Sequence, residues 1–151
     1  MAYRTITIKG DGVGFEAVAN AAITPGMLCE TMSTAKVRAH SVAGGNAEAM
    51  VAIEDELQGK EIGTAYAADA VVLMRRFVPG DEFYGLIANG EDIAIGDFLE
   101  SAGNGRLRKH AADSAGAVEA ANPIVGVASE AVDMSDSSAA DPTGRCIVRV
   151  T

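Results

Sequence analysis

Gly10, Gly12 and Gly14 stand in the stretch Ile8-Lys9-Gly10-Asp11-Gly12-Val13-Gly14-Phe15-Glu16, directly after an alternating Thr5-Ile6-Thr7-Ile8 run. A glycine-rich loop behind a strand is the usual cradle for a phosphate. A dinucleotide loop, however, carries a third glycine where Phe15 stands, so that a helix can pack closely on its strand. A P-loop continues into Gly-Lys-Ser or Gly-Lys-Thr, which supplies a lysine and a magnesium-binding hydroxyl, and nothing of the kind follows here. The imidazoles are His40 and His110, each at the end of a basic strand-like run with no serine or cysteine elbow nearby, and both read as surface histidines. Cys29 and Cys146 lie far apart without CxxC or Cys/His spacing, which supports buried free thiols over a disulfide and offers no metal site. Glu54-Asp55-Glu56 is the densest acidic cluster, but it lacks the alternating oxygen register of a calcium loop and reads as a solvated turn. No catalytic, cofactor-binding or metal-ligating residue is assigned on these grounds, and the chain is expected not to be an enzyme.

The elements that would position such residues look equally unlike an enzyme's. The chain has 151 residues, the length of one domain, and a net charge of −9. That charge argues against nucleic acid as a partner, because binding to a phosphate backbone is driven by cationic groups releasing counterions. A basic or amphiphilic protein surface fits better. No apolar run is long enough for a membrane-spanning helix, so no membrane partner is expected, and the N-terminus reads as that of a protein made in the cytoplasm. The hydrophobic share is 48%, yet 28 residues are Ala and only 34 are Leu, Ile, Val or Phe. Burial yields roughly 25 cal/mol per Å² of apolar area, so such a core is thin and part of the stability is expected to come from an oligomer or larger assembly.

Turn signals recur at short intervals between runs rich in β-branched residues, which predicts an all-β fold, a small β-barrel or β-sandwich. Val71–Val78 and Glu82–Ile87 flank Pro79-Gly80-Asp81 and read as a hairpin. Asp97–Ser101 and Arg106–His110 flank Gly103-Asn104-Gly105, a stronger hairpin signal because Asn and Gly both accept left-handed geometry. Pro123–Ala128 and Arg145–Val150 read as closing strands, with a Ser/Asp/Ala loop over 133–144, and 111–121 reads as a surface loop or a short Ala-rich turn. In Ala47–Leu57, Met50, Ile53 and Leu57 fall at helical spacing, a possible short helix. Val71–Met74 and Phe83–Ile87 are apolar on both faces, so both sides need cover. Arg75 and Arg76 point to opposite faces of an extended strand, one of them available to a carboxylate across a subunit contact.

The succession "FEAVANAAITPGMLCE", "VRAHSVAGGNAEAMVAIEDELQGKEIGTAYAADAVV", "FVPGDEFYGLIANGEDIAIGDFLESAGNGRLRK" and "PIVGVASEAV" resembles the capsid decoration (cement) proteins of tailed bacteriophages. The resemblance covers nearly the whole chain and rests on the order and spacing of its turns. It implies a homotrimer on the outer capsid surface of the virion that clamps neighbouring subunits of the major capsid protein, with an N-terminal arm reaching an adjacent subunit. On that reading residues 1–22 are an extended arm, 23–151 a single β domain, and the glycines a pliable tether; a plain loop inside the domain is the alternative. Tyr3, Ile6, Ile8 and Phe15 of the arm, with Phe77, Phe83 and Tyr84, are the expected partner-binding residues, because aromatic and apolar anchors dominate binding energy. Two other classes remain open: a small β-barrel ligand-binding or enzymatic domain using the Gly10–Gly14 loop, and a tail or fibre component.

Overall fold

The computed structural model describes residues 3–111, 122–136 and 144–151. Residues 112–121 of the expected surface loop or turn and most of the Ser/Asp/Ala loop lie outside them. The described chain is almost entirely β: β1 (Thr7–Lys9), β2 (Val13–Val18), β3 (Cys29–Thr31), β4 (Val37–Ala39), β5 (Met50–Ala52), β6 (Val71–Arg76), β7 (Glu82–Leu86), β8 (Asp92–Ile93), β9 (Phe98–Ser101), β10 (Leu107–Lys109), β11 (Gly126–Ala128), β12 (Val132–Asp133) and β13 (Arg145–Val150). Six strands form one sheet in the order β1-β7-β13-β11-β9-β10; β2-β6-β5 form a second, and β3-β4 and β8-β12 are two-stranded. The six-stranded sheet curls, a parallel bridge from Ile87 to Leu107 bringing β10 back toward the end of β7, but no sheet closes into a barrel.

The sheets are joined by one bent ribbon. β1 pairs antiparallel with β7 (Thr7↔Phe83), and the next strand along, β2, pairs antiparallel with the preceding strand, β6 (Val13↔Arg76 through Val18↔Val71). Between these pairings the chain crosses from one sheet to the other twice, at Gly10–Gly12 and at Phe77–Asp81. Strands that change sheets need a bend or bulge, and the register shifts between Thr7 and Lys9. At the second crossing Pro79 and Gly80 (φ +97°) make a turn closed by Asp81 N–H to the Val78 carbonyl, 3.0 Å. The Asp81 carboxylate accepts from Val78 N–H, 3.1 Å. This turn was expected to close a β6–β7 hairpin; instead it sends its two flanking strands into different sheets.

The glycines are explained by that corner. Gly10 (φ +84°) packs against the Asp81 side chain, and Gly12 (φ +51°) against the Arg76 carbonyl, where a Cβ has no room. Both hold left-handed angles that favour glycine. The segment expected to leave the domain as an arm is therefore, from Tyr3 on, part of it: Ile6 is buried, and its N–H donates to the buried Glu54 carboxylate, 3.0 Å.

Two apolar clusters fill the interior. Phe83, Leu99, Cys146 and Val148 belong to the larger cluster, lined by the six-stranded sheet, and Ile23, Met50, Val72 and Met74 to the smaller. β7 is buried on both faces from Phe83 to Leu86, as its doubly apolar run predicts, whereas Val71 at the start of β6 remains exposed. The helical spacing in Ala47–Leu57 does not make an α-helix. Met50–Ala52 form β5, fully buried between neighbours, and only Glu56–Gln58 turn, as a 3-10 helix capped by Asp55. The β9–β10 hairpin forms as the sequence predicts, and the two closing strands form as β11 and β13, which pair with each other.

Replacing Gly12 with Ala places a side chain against backbone at a left-handed angle and is expected to cost about 2 kcal/mol. Gly14→Ala, in open space at an ordinary strand angle, is expected to stabilise by about 0.5 kcal/mol. Urea unfolding of the two variants measures both.

Candidate functional site

The side chains that could have done chemistry are engaged in structure. His40 is not at the surface: it is 2% exposed, with Nδ1 2.6 Å from Ser101 Oγ and Nε2 2.8 Å from the Asn46 carbonyl, to which it donates. His110 is partly buried, with Nδ1 2.7 Å from Glu100 Oε2. Burial pushes both cysteine thiols up to about 12, so Cys29 and Cys146 are neutral free thiols at neutral pH. Glu54, expected in a solvated turn, is buried against Ile6. Among the described residues no group of three or more His, Cys, Asp or Glu is placed to hold a metal ion.

Glu100 is the best-connected of these groups. It is 1% exposed in β9, and its carboxylate accepts from Arg108 (2.7 Å), His110 (2.7 Å) and Asn122 (3.3 Å). Burial alone would raise its pKa, but hydrogen bonds from His110, Arg108 and Asn122 outweigh that and hold it below the ordinary carboxylate value. The cluster ties the β9–β10 hairpin to the segment entering β11. Arg145 in β13 is a second buried clamp, donating to the Pro25 (2.7 Å) and Ile62 (2.9 Å) carbonyls; burial lowers its pKa.

Among the described residues, one accessible feature is a groove on the six-stranded sheet. On one face of the six-stranded sheet, Tyr3, Ile8, Val127 and Ile147 line an open groove of about 450 Å³, with Ile95 72% exposed at its rim. Cross-strand register sets Lys9, Glu82, Arg149, Val127 and Phe98 in one row over this face, and Lys9 pairs with Glu82 at 3.5 Å. The groove thus has an apolar end and a charged end.

The seven expected partner-binding residues are divided by the fold. Tyr3 and Ile8 meet at this groove. Phe15 lies partly buried on β2, under the Arg76 guanidinium, which sits 4.1 Å from its ring centroid and also reaches Glu48 of the same chain. Ile6, Phe77, Phe83 and Tyr84 are core: Phe77 and Phe83 stack at 5.2 Å, and Tyr84 meets Tyr3 edge-on at 5.5 Å. A core so poor in bulky residues uses these aromatic rings internally. Ile95 and Phe98, 72% and 50% exposed, escaped the sequence reading. The signal for Phe98 was present, since in a strand it must face away from its neighbour Leu99.

No protein-family model matches the sequence, and no curated protein matches it. Among solved structures, the chain is similar to the N base of head fiber gp8.5 in bacteriophage phi29, with a TM-score of 0.54 at 13% identity, over 92% of this chain and 93% of that one. At that identity the likeness is one of fold.

Because Glu100 binds its proton less tightly folded than unfolded, it adds stability above the ordinary carboxylate pKa, and that contribution is lost as pH falls through the lowered folded value. Glu100→Gln is expected to cost about 2 kcal/mol at pH 7, because it removes the charge and replaces one of the two oxygens that serve Arg108 and His110 with a donor, and to flatten the acid limb of stability. Thermal melts from pH 7 down to about pH 3 measure both effects.

Proposed function

We propose that this chain is a non-enzymatic structural component of a bacteriophage virion, which binds the outer surface of the assembled head and stabilises contacts between major capsid protein subunits. The observation that carries this reading is the correspondence of fold, over nearly the full length of both chains, with the base of a phage head fiber. The engagement of His40, Glu100 and the two thiols in the core agrees with a protein that works by surface complementarity.

The mechanism is mass action. A protein complementary to a junction between shell subunits binds the assembled lattice and not separated subunits, and so stabilises assembly. In a homotrimer the first contact makes the next two intramolecular, so modest sites add up to firm retention. The groove at Tyr3, Ile8 and Ile95 offers one contact of mixed apolar and charged character. Because the likeness is to a fiber base, a second reading is that the chain seats a projecting fiber on the head; fibers visible by electron microscopy on heads carrying the protein would favour it.

Deleting residues 1–15 would remove β1, Ile6 and part of β2, and so tests the fold rather than an arm. A sharper test adds purified protein to expanded heads that lack it. Co-sedimentation is expected, together with a solution mass three times the chain's 15.4 kDa. Protein that stays in the supernatant at saturating concentration contradicts the shell-binding role.

A further inference from the structure

Of the three glycines in the opening stretch, Gly14 has no use inside the chain. Its φ is not left-handed, and a Cβ built on it would meet nothing within 4 Å. It lies within β2, where glycine weakens a strand by forgoing side-chain packing and is often retained where another backbone comes close.

The hydrogen-bond phase of β2 shows where that approach would be. Ala19 N–H donates to the Ala70 carbonyl (2.9 Å), so odd-numbered residues turn their main chain toward β6. Asn20 N–H turns the other way, to the Val37 carbonyl (2.8 Å), which covers the strand's far end. Gly14 and Glu16 therefore aim their N–H and C=O groups away from β6, and among the described residues no strand pairs with that edge. Inward of this edge, across β2 and β6, lies a notch of about 290 Å³, lined by Gly14, Phe15, Glu16, Ile53, Leu73 and Met74. Glu16 is exposed and has no ion pair among the described residues.

The geometry points to β2 as an acceptor edge that adds one extended segment of a shell subunit to the β2-β6-β5 sheet. Its main chain bonds Gly14 and Glu16, an apolar side chain opposite Gly14 leans diagonally over that glycine toward Leu73, and a basic side chain lies opposite Glu16. This rests on the head-binding role proposed above. A second copy of this chain is a poorer occupant. Antiparallel self-pairing centred on Phe15 would hold two Glu16 carboxylates on one face about 7–8 Å apart, in a chain of net charge −9.

Three variants test the edge. Gly14→Val adds a β-branched side chain where the incoming strand must pass; Glu16→Pro deletes an outward N–H without touching the β6 ladder; Glu16→Lys reverses the charge. Each is melted, weighed in solution and co-sedimented with expanded heads lacking the protein. The unmodified protein is expected to bind, and each variant to keep its melting midpoint and oligomeric mass while losing about tenfold in affinity, the equivalent of 1.4 kcal/mol. If the unmodified protein binds and folded Gly14→Val and Glu16→Pro bind equally well, the edge inference fails while head binding stands. Undiminished binding by Glu16→Lys alone removes the basic partner residue. If the unmodified protein does not bind, both fail. A fall in oligomeric mass with any variant assigns the edge to a second copy and overturns the inference.

Discussion

The molecule depends on one ribbon turning a corner. β1 and β2 run along β7 and β6, and the ribbon bends where Gly10 rests on Asp81 and Gly12 on the Arg76 carbonyl. On one side of the bend it forms the edge of the six-stranded sheet; on the other it builds the β2-β6-β5 sheet. Closing contacts between residues so distant in sequence carries a loop-entropy cost that grows only slowly with length. The corner must therefore be tight enough for the burial of Ile6, Phe77 and Phe83 on either side of it to offset that cost.

That constraint redistributes the chemistry of the sequence. A loop that resembles a phosphate cradle is a steric hinge, and rings that resemble docking anchors hold the two crossings together. Carboxylates are likewise used as internal ties, Glu54 to the β1 entrance and Glu100 to the β9–β10 hairpin. The sheet-face groove and the strand edge, the two surfaces proposed above for a partner, would recognise it by shape and main-chain pairing.

Local signals in the sequence marked the local pairings. Gly103-Asn104-Gly105 can do little but turn a hairpin, and β9–β10 formed there. Pro79-Gly80 was equally plain as a turn, but which strands it served depended on pairings with residues 53 to 76 positions earlier, beyond any local pattern. Met50, Ile53 and Leu57 share a helical spacing by coincidence: Met50 is buried in a strand covered on both sides, while Leu57 is 96% exposed. A short, fully buried apolar run carries no period to distinguish strand from helix. His40 looked like a surface residue beside Arg38, and only the approach of Ser101 and Asn46 makes its burial affordable. Of the expected contact residues, Tyr3, Ile8 and Phe15 keep some surface, and the rest were drawn inward by the scarcity of large apolar side chains elsewhere.

The most direct measurement is an electron cryomicroscopy map of heads carrying this chain. The account predicts density on the outer shell, astride junctions between capsid subunits, with the β2-β6-β5 sheet continued by a strand from the shell. Density confined to the tail or the head interior, or a chain absent from the particle, would contradict it.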